Sequence, residues 1–108
     1  MKPLRVLDEV ADRDLPDILA YHVPRSRGKA EAIADEYDRL IALLRATPAM
    51  FHERPHGWRV AVFRSGSYLL YYRELEFCWL VAGVFPAQRD PDWIQTQLLI
   101  REVRDRPN

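Results

Sequence analysis

Apolar residues recur at helical spacing in the first half of this chain and at strand spacing in the second. Leu4 to Leu7 is a short strand candidate. A helix is expected within Asp8 to His22, where Leu15, Ile18, Leu19 and His22 follow i, i+3, i+4, i+7 spacing. Asp8 or Asp14 could cap it, and Pro16 suits a first turn. Pro24-Arg25-Ser26-Arg27-Gly28 breaks the chain. The spacing then predicts a long helix from Ser26 to Ala46, with Ala30, Ile33, Tyr37, Leu40, Ile41 and Leu44 on one face. Thr47-Pro48 ends it, because proline disfavours helix in the residue before it. Two adjacent amphipathic helices with a short link predict a helical hairpin whose apolar side needs a flat partner.

The second half supplies that partner. Trp58 to Phe63 reads as a strand, with Trp58, Val60 and Val62 on one face and Arg59, Ala61 and Phe63 on the other. Ser65-Gly66 makes a turn, and Tyr68 to Arg73 is the return strand. Glu74-Leu75 turns again into Phe77 to Phe85, apolar almost throughout and therefore central and covered on both faces. Asp90 is a good N-cap, Pro91 a good first helical residue, and Asp92 suits the positive helix end. A last helix from Pro91 to about Arg104 is predicted, packed through Trp93, Leu98 and Val103. The expected fold is α+β, in the order β-α-α-β-β-β-α. An antiparallel sheet carries the helical hairpin on one face, with a C-terminal helix, in a single domain over residues 1–108.

Composition narrows the function classes. The chain has 108 residues, 48% hydrophobic and 30% charged, which is too apolar for disorder. Its 16 Lys+Arg balance 16 Asp+Glu, which argues against a non-specific nucleic-acid binder. Any role for positive charge must be local. The single cysteine, Cys78, lies in an apolar run and reads as a buried structural thiol. The N-terminus lacks the apolar core of a signal peptide, and no stretch approaches the ~20 apolar residues that span a bilayer. The cytoplasm is the default location, and no membrane partner is expected.

Local charge is uneven. Arg54, Arg59, Arg64 and Arg73 fall within twenty residues that contain no acid, whereas Glu31, Asp35, Glu36 and Asp38 crowd the first half of the long helix. Taken singly, Arg64 and Arg73 read as turn residues and Arg59 as the partner of a carboxylate. Together they suit docking to an acidic partner. His52 and His56 flank Pro55 just before the hairpin, and with Arg59 and Arg64 they could serve as base, acid and phosphate clamp. A polar loop is the simpler reading. His-x-x-x-His binds metal well on a helix, and this loop holds Pro and Gly, so no metal or cofactor is expected. His22 reads as a capping or surface residue. Tyr68, Tyr71 and Tyr72 read as core or sheet-face residues.

The order of elements and several segments resemble the RelE/ParE superfamily of toxins from type II toxin–antitoxin pairs, some of which stabilise plasmids. DLPDILAYHV resembles its first helix, EYDRLIALLRATPAMF its second, GWRVAVFRSGSYLLYYR its central hairpin, and VAGVFPAQRDPDWI its last strand with an Arg-Asp ending. The resemblance runs from about Leu4 to Trp93. It implies a cognate antitoxin that wraps the toxin and lies against the sheet in a hetero-oligomer. It also implies one of two activities. RelE-like members cleave messenger RNA on the ribosome. ParE-like members poison DNA gyrase without known chemistry of their own.

RNA cleavage by the 2′-hydroxyl needs a base, cations around the phosphate and an acid. Against the pattern of the RNA-cleaving branch, the basic positions of the first hairpin strand are Val60 and Val62 here. The arginine expected after Tyr68 is Leu69, the tyrosine of the terminal helix falls near Gln95, and the histidine after the last strand is Pro86. Only the last arginine is kept, as Arg89. Losing one oxyanion-stabilising group typically costs ~10²–10³ in rate. The residues therefore favour a ParE-like toxin that binds its target, with Arg54, Arg59, Arg64, Arg73, Arg89 and Trp93 as candidates for contacting antitoxin or target. The first alternative is a ribosome-dependent mRNA endonuclease with a displaced site at His52, His56, Arg59, Arg64 and Arg89. The second is a degenerate, non-toxic family member that only binds protein. The charged ending IREVRDRPN is expected to be partly free.

Overall fold

The computed structural model describes residues 1–106. Strand β1 is Leu4–Val6. A π-helical turn at Val10–Asp14 leads into α1, Leu15–His22, and α2 spans Arg27–Ala46. A 3₁₀ turn at Pro48–Met50 follows, then β2 (Arg59–Val62), β3 (Tyr68–Glu74), β4 (Trp79–Pro86) and α3 (Pro91–Asp105). The expected α+β order is present. β2, β3 and β4 form the antiparallel meander, and β1 adds to the far side of β4 in parallel, so the four-stranded sheet is mixed, in the order β1-β4-β3-β2.

Local chemistry accounts for most element ends. Ser26 caps α2 by accepting from the Lys29 amide at 3.2 Å, and Asp90 caps α3 by accepting from the Asp92 amide at 3.0 Å. Gly66 takes a left-handed φ of 74° in the β2–β3 turn, where a side chain would be strained. The first helix is different. Neither Asp8 nor Asp14 caps it. Asp14 closes the π turn with its carboxylate buried, bonded to Arg101 and to the Val84 amide.

The core lies between the sheet and the α1–α2 hairpin, around Leu40, Leu44, Leu70, Tyr72 and Val81. β4 is buried at seven of its eight positions, as its apolar run requires. It starts two residues later than expected: Phe77 sits 78% exposed in the preceding turn, and Cys78 is partly exposed rather than buried. Helix α3 docks through Ile94, Leu98 and Arg101. Trp93, though 36% exposed, packs against Phe85 at the rim, whereas Val103, expected to pack inward, is 55% exposed. The tail is not free as far as Asp105, which pairs with Arg5 of β1; Pro107 and Asn108 lie outside the described residues. Among the described residues no helix is long and apolar enough to cross a membrane.

Candidate functional site

Strand pairing puts Val62 opposite Leu69, and Leu69 opposite Phe85, so the three share one face of the sheet. Phe85 packs edge-on against Trp93 of α3, with ring centroids 5.6 Å apart. An apolar row thus crosses β2, β3, β4 and α3. Val62 is 45% exposed and Leu69 partly so. Val60 and Tyr71 form the adjacent, buried pair on the same face. Gly83 lets Phe85 lie flat: a β-carbon there would sit 2.3 Å from the Phe85 ring.

Arg89 ends the row. Its guanidinium lies 4.0 Å from the centre of the Trp93 ring, a cation–π contact made by an exposed side chain. Beyond it, a cleft of about 550 Å³ opens between α1 and α3, walled by Arg13, Tyr21, Tyr68, Phe85, Arg89 and Trp93. Sequence patterning missed Arg13 and Tyr21, because only the tertiary fold brings the first helix beside the last.

The other candidate residues are dispersed. Arg59 donates to the carbonyls of Phe51 at 2.5 Å and Ala49 at 3.3 Å, and so pins the 3₁₀ turn to β2; among the described residues no carboxylate partners it. Arg73 pairs with Glu102 of α3 at 3.3 Å and lies over Trp58. Arg64, 76% exposed, stands at the far end of β2 from Arg59. Arg54 is exposed in the loop before β2. His56 turns its Nδ1 to accept from the Trp58 amide at 3.2 Å, and its ring approaches Tyr71. Partial desolvation and the Arg54 cation lower its pKa. His52 is exposed in the same loop. The structure therefore keeps His52, His56 and Arg54 near one end of β2 and places Arg64 at the other.

His22 is neither a cap nor a surface residue. It is buried, and its Nε2 lies 2.6 Å from the Tyr68 hydroxyl. Burial first, then Lys29 and Arg25, push its pKa down. Tyr68, Tyr71 and Tyr72 are buried as expected, and burial raises their phenol pKa values.

The fold gathers Val62, Leu69, Phe85, Trp93 and Arg89 on a single face, with Val60 buried beside them. A family model described as the ParE toxin of the type II toxin–antitoxin system, parDE, matches residues 6–91. The chain belongs to the ParE toxin family. No curated protein matches it. For this ParE-family toxin the match runs from the last residue of β1 to the first residue of α3, and so includes β2, β3 and β4 of the apolar row.

Proposed function

We propose that this ParE-family toxin acts by gripping a macromolecular target, DNA gyrase, and that a cognate antitoxin holds it inactive in a hetero-oligomeric complex in the cytoplasm. The observation that carries this reading is the solvent-accessible Val62–Leu69 pair on the outer two strands of this face. Aliphatic side chains can neither hold a phosphate nor move a proton, but an exposed apolar row edged by an arginine suits protein docking. Arg89 and Trp93 supply the side-chain types that dominate such interfaces, and exposed Arg54 adds positive charge, while Arg64 and Arg73 are offset by Glu36 and Glu102. A ribonuclease site at His52, His56, Arg59, Arg64 and Arg89 has less support, because Arg59 is tied to two carbonyls and Arg64 lies across the strand from the histidines.

Controlled expression in a bacterial host tests the reading. Gyrase poisoning gives filamentous cells, a DNA-damage response and cleaved DNA trapped on gyrase. Early arrest of translation with cut transcripts would instead establish the nuclease, and unaffected growth would establish a non-toxic binding protein.

A further inference from the structure

Helix α3 carries two stripes, and the fold covers one of them. Ile94, Leu98 and Arg101 are buried against the domain. On the opposite side, Asp92, Thr96, Leu99, Val103 and Arg106 recur at alternating four- and three-residue steps, the a/d pattern of a two-helix seam. Leu99 is 60% exposed and Val103 55%. The Thr96 hydroxyl already donates to the Asp92 carbonyl at 2.9 Å, so it needs no further partner in a seam.

Charge is sorted along this stripe. Asp92 stands at its N-terminal end and Arg106 at its C-terminal end, both exposed, and among the described residues neither side chain forms an ion pair. Most other charges of α3 are engaged within the chain. Arg101 is bonded to Asp14, Glu102 to Arg73 and Asp105 to Arg5. Arg104 is exposed but lies off the seam, one position past Val103. Ahead of the helix, Asp90 caps it and Arg89 stacks on Trp93. The three ion pairs fix α3 on the domain, so the stripe is held in place before any partner arrives.

We infer that α3 docks antiparallel onto α3 of a second copy of this chain, through Leu99 and Val103. A stripe that is acidic at one end and basic at the other complements itself when inverted, as a two-fold interface requires. Leu99 of each copy then meets Val103 of the other. Arg106 of one copy lies opposite Thr96 of the other, about 6 Å along the axis from Asp92 and within reach of an arginine side chain. The helix dipoles run in opposite directions, whereas parallel pairing would set like charges together at both ends. The 16 Lys+Arg and 16 Asp+Glu of the chain cancel, so no net charge repels the second copy. The family match ends at residue 91, so this stripe lies outside the matched region. The 15 residues of α3 make a helix about 22 Å long. One such face buries less than the roughly 1,200 Å² of a standard interface, so the dimer is weak and reversible, with a Kd of about 10–100 µM. The inference does not depend on which target the toxin grips.

Sedimentation velocity on the full chain, from tenfold below to tenfold above that Kd, tests it. The expected result is a reversible shift from monomer to dimer. Leu99→Glu leaves only monomer across the same range, and circular dichroism and an unchanged Tm show that this exposed substitution keeps the fold. Asp92→Arg alone, or Arg106→Asp alone, turns both end contacts repulsive and weakens the dimer about tenfold. Mixing those two variants restores it, because each end then pairs an arginine with an aspartate. A monomer at the highest concentration overturns the inference, and so does a dimer that persists unchanged in Leu99→Glu. Single charge variants that dimerise as tightly as the natural chain rule out the antiparallel arrangement and overturn it as well.

Discussion

Asp14 and Arg101, 87 positions apart, meet in a bidentate ion pair at 2.6 and 2.8 Å, with both side chains almost fully buried. Each also holds the backbone of β4. Asp14 accepts from the Val84 amide at 3.1 Å, and Arg101 donates to the Ala82 carbonyl at 2.9 Å. At this point β4 carries a bulge: Tyr71 faces Gly83 while Tyr72 faces Val81, which leaves Ala82 as the extra residue. The pair therefore satisfies an irregular edge where β1 has ended, and it ties the first helical segment to the last helix. Removing one partner leaves a buried charge without its counter-ion. Asp14→Asn or Arg101→Met is expected to cost about 3–5 kcal/mol in urea unfolding. The double variant is expected to be less destabilised than the sum of the two single variants. Additive costs would mean that the two groups act independently.

The buried His22 makes stability depend on pH. Its folded pKa lies below the ordinary 6.5, so between those two values the unfolded chain binds more protons than the folded one. The contribution is fully present above about pH 6.5 and is lost as pH falls through that value toward the folded pKa. The groups nearest the ring are Tyr21, Tyr68, Lys29 and Arg25. Urea midpoints measured from pH 7.5 down to 5 are expected to fall, and His22→Gln is expected to flatten the slope. His56 is lowered too, so the comparison is made in a His56→Gln background.

Glu36 sets a separate, more acidic window. Its carboxylate bonds Arg39 and the Arg64 amide, and the Arg39 bond is the larger cause of its lowered pKa. Its stabilisation is present above the ordinary value of 4.5 and disappears as pH falls below it. Glu36→Ala is expected to cost about 1 kcal/mol and to speed amide exchange at Arg64, because the β2–β3 turn loses its tether to α2. Unchanged exchange at Arg64 would contradict the tether.

Gly83→Ala tests the geometry of the apolar row. The added methyl would overlap the buried Phe85 ring, so an overpacking cost of about 1–3 kcal/mol is expected. Phe85 must shift, and Trp93 fluorescence is expected to change with it, since the two rings are in contact. An unaltered emission spectrum would show that the row is not coupled in this way.

Val62→Lys probes the proposed grip. The side chain is 45% exposed, so stability should move by less than about 0.5 kcal/mol. A charge placed in the apolar row is expected to relieve growth inhibition in the host at equal protein level. Full toxicity of a folded variant would place the target contact elsewhere.

Much of this molecule was legible from periodicity alone. The long helix, its Ser26 cap and Pro48 stop, the Ser65-Gly66 turn and the Asp90-Pro91 helix start depend on contacts within a few residues. Strand alternation placed Val60 and Val62 on the face where they are found, and resemblance matched them, with Leu69, to positions that are basic in RNA-cleaving relatives. Errors arose where a residue's role depends on a distant partner. His22 read as surface because nothing nearby predicts the Tyr68 hydroxyl 46 positions away. Asp14 read as a cap for the same reason. Val103 read as packing inward because helical spacing cannot say which of two neighbouring stripes a sheet will cover.

The sequence by itself determined the local elements, their order and the aliphatic character of Val60, Val62 and Leu69, because hydrophobic period, capping chemistry and residue type act at short range. Only the tertiary structure decided that β1 pairs in parallel with β4, that Asp14 finds Arg101, and that β2 lies at the edge of the sheet. Those outcomes depend on which backbone groups remain unpaired after the chain has packed, a property of the whole fold and of no single segment.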